Sequence, residues 1–121
     1  MDTIVIDLDN TICSTNDGNY EESSPDLDII NLLHEYKKNG FEIFIYTSRN
    51  MRTFDKSIGK INAFTLPTII KWLRKHNVPY DEIHIGKPWC GENGFYVDDK
   101  AIRPDEFKKL SLEEIKNIFG S

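Results

Sequence analysis

The sequence predicts an α/β fold built on a mostly parallel sheet, and three observations predict it. Short β-branched and aromatic runs alternate with helix-period segments, acidic and hydroxyl residues stand directly behind the strand runs, and no repeat, linker or low-complexity stretch interrupts the alternation. Strand, helix, strand, helix, strand is the pattern of parallel strands joined by crossovers, and it predicts a sheet covered on both faces. Ligands of such sheets bind outside the carboxyl ends of the strands, so the chemistry is sought there.

Thr3 to Asp7, Thr-Ile-Val-Ile-Asp, reads as a buried central strand. Residues 13–24 are polar and turn-rich, which predicts a loop of functional length and a candidate flap over a site. Ser24-Pro25, with Asp26 and Asp28 in the first turn, predicts a helix start. Leu27, Ile29, Ile30, Leu32, Leu33 and Tyr36 supply its apolar face, and Lys37, Lys38 and Asn39-Gly40 end it. Phe41 to Ser48 is a second strand, and 49–64 reads as a polar, basic-tinged connection. A second helix begins at about Thr65, with Leu66, Ile69, Ile70 and Leu73 on one face and Arg74, Lys75 and His76 at its end. Glu82 to Ile85 and Gly94 to Val97 are further short strands, and Ser111 with Glu114 forms a capping box for a last helix carrying Leu112, Ile115, Ile118 and Phe119.

At 121 residues the chain is expected to be one domain, 1–121, and its 39% hydrophobic content allows a core that a disordered chain lacks. Lys plus Arg total 15 against 20 for Asp plus Glu, a net charge of −5. That sign disfavours nucleic acid and anionic membrane surfaces as partners. The longest apolar run, Ile43 to Tyr46, is far too short to cross a membrane, and Met1-Asp2 opens without the basic segment of an export signal. Cys13 and Cys90 are too few for a disulfide framework or a zinc site and predict reduced thiols in a cytoplasm. His34, His76 and His84 lack metal-ligand spacing and read as structural. Trp72 and Trp89 read as packing residues, with Trp89, beside Lys87, a candidate for the rim of a site.

The strand runs end in Asp7-Leu8-Asp9-Asn10-Thr11, in Tyr46-Thr47-Ser48-Arg49 and in Val97-Asp98-Asp99-Lys100. Asp7 and Asp9 are two apart, so on extended backbone they point the same way. Four carboxylates in one crevice repel unless a cation joins them, and hard carboxylate oxygens suit Mg²⁺.

Asp7-Leu8-Asp9-Asn10-Thr11, Thr47, Lys87 and Asp98-Asp99 together resemble the four motifs of the haloacid dehalogenase superfamily. Tyr-Thr-Ser-Arg-Asn at 46–50, Gly-Lys-Pro at 86–88 and the segment 95–104 are similar to the short phosphatases of capsular polysaccharide synthesis. The resemblance implies a three-layer haloacid dehalogenase-like fold without a cap domain, and phosphomonoester hydrolysis through an aspartyl-phosphate. It makes Asp7 the nucleophile and Asp9 the acid and base, with a raised pKa. Thr47 becomes a hydroxyl donor to the phosphoryl group. Mg²⁺ is assigned to the side chains of Asp7 and Asp98 and the main-chain carbonyl of Asp9, with Asp99 in support. Lys87 is the catalytic lysine of the pattern, although Pro88 follows it and only the residues 86–93 separate two strand runs; Lys60 is its rival. Arg49, Arg52 and Lys60 are candidates for binding anionic substrate groups, with Asn10, Thr11 and Ser48 beside them. The implied substrate is a small phosphorylated sugar, polyol or capsule precursor. The alternatives are a protein or polynucleotide phosphatase, the latter disfavoured by charge, and a receiver-like signalling module, whose motifs run in a different order. Monomer and homo-oligomer stay equally open.

Overall fold

The computed structural model describes residues 3–15, 20–85 and 101–120. The chain forms two compact units, Met1–Trp89 and Cys90–Ser121. In the first, the strands β1 (Thr3–Asp7), β4 (Glu42–Thr47) and β5 (Glu82–Ile85) form a parallel sheet in the order β1-β4-β5. Between β1 and β4 come a two-residue ladder, β2 (Cys13–Ser14) against β3 (Ser24–Pro25), a 3-10 turn at Tyr20–Glu22 and helix α1 (Leu27–Lys38). Helices α2 (Ile58–Phe64) and α3 (Leu66–Lys75) lead from β4 to β5.

Register sets which residues make the core. Ile4 and Ile6 lie opposite Ile43 and Ile45, and Ile45 and Thr47 lie opposite Ile83 and Ile85, so these side chains share one face of the sheet. Both crossovers step the same way across the sheet, and right-handed connections then put α1 and the α2–α3 pair on that same face. Burial follows: Ile29, Ile30 and Leu33 of α1, Ile61 of α2 and Ile69, Trp72 and Leu73 of α3 are buried with Ile6, Ile43 and Ile45. Each fully buried Leu or Ile contributes about 1.5–3 kcal/mol relative to exposure.

The strands at 3–7, 42–47 and 82–85, the α1 C-terminus and the start of α3 lie where the sequence predicts them, and five details are corrected. β1, read as buried, leaves Val5 59% exposed on the face opposite the helices, and β4 is the middle one of the three strands described in that sheet. A short continuous β-branched run carries no period to tell burial on two faces from burial on one. Ser24-Pro25 pairs with Cys13-Ser14, and α1 is capped one step later, by Asp26 accepting from the Ile29 N–H at 3.2 Å. Leu27 is exposed, because it precedes the turn at which the helix meets the sheet. Residues 58–64, read as connection, form α2, started by the Ser57 side chain on the Lys60 N–H and stopped at Thr65, where Pro67 forces a new first turn. The 13–24 loop is tied by the β2–β3 ladder.

The second unit contains α4 (Pro104–Lys109) and α5 (Leu112–Ile118). The capping box at α5 is present as predicted: Ser111 accepts from the Glu114 N–H at 3.2 Å, and Glu114 accepts from the Ser111 N–H at 3.0 Å. Ile115 is buried, whereas Ile118 is half exposed and does not share its apolar face. The predicted strand at 94–97, together with Lys87, Trp89, Cys90, Asp98 and Asp99, lies outside the described residues. No described helix is long and apolar enough to cross a membrane.

Candidate active site

Parallel pairing brings the carboxyl ends of β1 and β4 side by side, with Asp7 opposite Tyr46. The pairing runs one residue further, since the Leu8 N–H donates to the Tyr46 carbonyl at 3.1 Å. There the chain turns. The Leu8 carbonyl accepts from the N–H groups of Ile12 and Cys13 at 3.0 and 3.2 Å, and Asn10 sits at φ 64°, a left-handed conformation that Asn tolerates better than most residues. Strand alternation therefore stops at Asp7, and it is this turn that sets the Asp9 carboxylate.

Four side chains converge on it. Arg49 grips Asp9 with a fork, Nη2 to Oδ1 at 2.7 Å and Nε to Oδ2 at 3.2 Å. Thr47 Oγ1 donates to Oδ2 at 3.4 Å, Thr15 Oγ1 donates to Oδ1 at 3.3 Å, and the Cys13 thiol points at Oδ1 from 3.7 Å. Thr47, fully buried, also accepts the Arg49 N–H at 3.0 Å. The Tyr20 ring covers the guanidinium, its centroid 4.0 Å from Cζ. Arg49 Nη1 is buried with no hydrogen-bond partner among the described residues. Burial, and then the Asp9 charge, push both the Cys13 thiol and the Tyr20 phenol above their ordinary pKa.

Ser23 and Thr15 are held onto this site from α3. Trp72 Nε1 donates to the Ser23 carbonyl at 2.9 Å, the Ser23 and Thr15 hydroxyls share a 2.6 Å hydrogen bond, and Thr15 reaches Asp9. Trp72, expected as packing, is buried and carries this tether as well.

Asp9, Asn10, Ser48, Arg49 and Arg52 line a cavity of about 670 Å³, together with Thr15, Tyr20, Asn50, Met51 and Thr53. A smaller cavity of about 340 Å³ shares Tyr20, Arg49 and Asn50 with it. Asp7 is half-buried at the end of β1, Thr47 lies behind Asp9, and Thr11 does not line either cavity. Lys60 is exposed on α2 and lines neither. Sequence reasoning missed Thr15 and Tyr20. Tyr20 had a signal, as the one aromatic in an otherwise polar loop. His34 and His84 bond to the Asn77 carbonyl and Glu82, and His76 packs on Trp72. No three His, Cys, Asp or Glu side chains gather as a metal cage among the described residues. The described share of the implied donor set, the Asp7 carboxylate and the Asp9 carbonyl, is hard oxygen and fits Mg²⁺.

No protein-family model matches the chain, and no curated protein does. Among solved structures, a protein of Vibrio cholerae is 53% identical, with a TM-score of 0.96, covering 99% of this chain and 98% of that one. A chain of the Pnkp1/Rnl/Hen1 complex matches at 18% identity and a TM-score of 0.53, covering 88% of this chain and 34% of its own length. The second likeness is one of fold.

Proposed function

We propose that this chain, which belongs to the family of the Vibrio cholerae protein and has a haloacid dehalogenase-like α/β fold, is a phosphomonoester hydrolase. What carries the reading is Asp9: an acidic side chain two residues after the acidic end of a parallel strand, facing a polar cavity at the carboxyl edge of the sheet. In the proposed reaction an Asp7 oxygen attacks phosphorus and the bond to the ester oxygen breaks, leaving an aspartyl-phosphate. Asp9 gives a proton to the departing alkoxide and takes one back from the water that cleaves the acyl phosphate, returning Asp7 and inorganic phosphate.

Mg²⁺ would be held by Asp7, the Asp9 carbonyl and Asp98, with Asp99 in support, and would offset the repulsion between two anions and the charge spread over the phosphoryl oxygens. Thr47 and Lys87, with Lys60 as its rival, complete the proposed catalytic set. Asn10, Thr11, Ser48 and Arg52 are proposed substrate contacts. The proposed substrate is a small phosphorylated sugar, polyol or related polysaccharide precursor, met in the cytoplasm. A net charge of −5 favours it over a polynucleotide end.

A panel of phosphate esters, including a phosphorylated oligonucleotide, tests the class. Asp7→Asn tests the mechanism: turnover falls by several orders of magnitude with the circular-dichroism spectrum unchanged, because an amide is a poor nucleophile. Near-normal hydrolysis by that variant ends the proposal.

A further inference from the structure

We infer that Arg49 is a positioning residue for Asp9, and that it does not bind the phosphoryl group of the substrate. The inference rests on the phosphatase reading and deepens it. An arginine that takes an anionic substrate needs a free edge of its guanidinium turned to the cavity. Arg49 has spent that edge: Nε and Nη2 both bond to the two oxygens of a single carboxylate, a planar match that fixes the carboxylate's rotation as well as its place. The side chain is 1% exposed, the Tyr20 ring closes one face of it, and its remaining nitrogen, Nη1, is buried away from water. The Asp9 side chain is 27% exposed and lines the cavity, so the fork holds it in place without closing it off from a bound ester. Proton transfer needs the carrier within about 2.6–3.2 Å of its partner, and a carboxylate free to rotate loses that alignment. Arg52 on the same cavity wall is exposed and has no ion-pair partner among the described residues, so its guanidinium can meet an anion.

Two esters separate positioning from binding. A p-nitrophenyl phosphate expels a weakly basic aryl oxide that leaves without a proton, whereas glycerol 2-phosphate expels an alkoxide that needs one. For Arg49→Lys, which keeps the charge and loses the fork, kcat/KM falls roughly tenfold or more further on the alkyl ester than on the aryl ester. The Ki of inorganic phosphate as a competitive inhibitor stays within about threefold, since the group that holds phosphate is untouched. Tyr20→Leu removes the covering ring without touching Asp9 and shows the same pattern more weakly, which serves if the buried Arg49 replacement folds poorly. Equal losses on the two esters, or a weakened Ki, overturn the inference and leave the phosphatase reading standing. A wild-type protein inactive on every ester of the panel removes both.

Discussion

Asp81 shows how much one carboxylate can organise. It pairs with Lys37 at the end of α1 and accepts the Ile43 N–H of β4 at 2.8 Å, while its own N–H donates to the Ile43 carbonyl at 2.7 Å. The Lys37 ammonium and the Ile43 amide hold its carboxyl below the usual range. A carboxylate whose pKa is lower folded than unfolded adds stability above the unfolded value of 3.8, and that stability fades as pH falls through the folded value. Asp81→Ala is therefore expected to cost about 1 kcal/mol at pH 7 in urea unfolding, most of it from the amide bond because the ion pair is largely in water. The gap between wild type and variant narrows below about pH 4. At the site, Asp9 was legible as the second acid of Asp-x-Asp, whereas its Arg49 partner read as one of three candidate cations for anionic substrate groups. Residue type carries charge but not burial, and burial is what distinguishes Arg49 from Arg52 and Lys60.

At the scale of elements, the readable pieces were those with their own signals. Ile43–Thr47 consists of β-branched and aromatic residues, and α5 has both halves of a capping box. α2 was not legible, because Gly59 and Asn62 are poor helix formers and its apolar residues Ile58 and Phe64 stay exposed. Ser57 caps it, and tertiary packing of Ile61 supplies what propensity lacks. The tether from α3 to the 13–25 segment is equally invisible in sequence, since the donor and acceptor are Trp72 and a backbone carbonyl far away along the chain. Replacing Trp72 by Phe keeps most of the buried ring but strands the Ser23 carbonyl, with an expected loss of about 1–3 kcal/mol. Amide exchange measured across residues 20–25 should quicken more than exchange in β4, because the segment loses its anchor while the sheet keeps its ladder.

For the molecule as a whole, the proposed Mg²⁺ donors come from opposite ends of the chain, Asp7 and Asp9 near the start and Asp98 and Asp99 near the end. If these residues hold Mg²⁺ they do so only in the folded state, and the ion would stabilise by mass action: at a hundredfold excess over its Kd the expected gain is about 2.7 kcal/mol, read as a rise in Tm that EDTA reverses. Asp98→Asn should abolish that rise, and a Tm indifferent to Mg²⁺ in the wild type would contradict the assignment. The sequence by itself determined the alternation of strands and helices, the acid-bearing strand ends and the net charge of −5. These are properties of local pattern and composition, present before any contact forms. Only the tertiary structure decided that both crossovers lie on one face, that a turn after Leu8 sets Asp9, and that Arg49 and Tyr20 close over it. Those outcomes depend on which distant segments meet when the core is buried, and a one-dimensional pattern does not encode the meeting of Arg49 with a carboxylate far earlier in the chain.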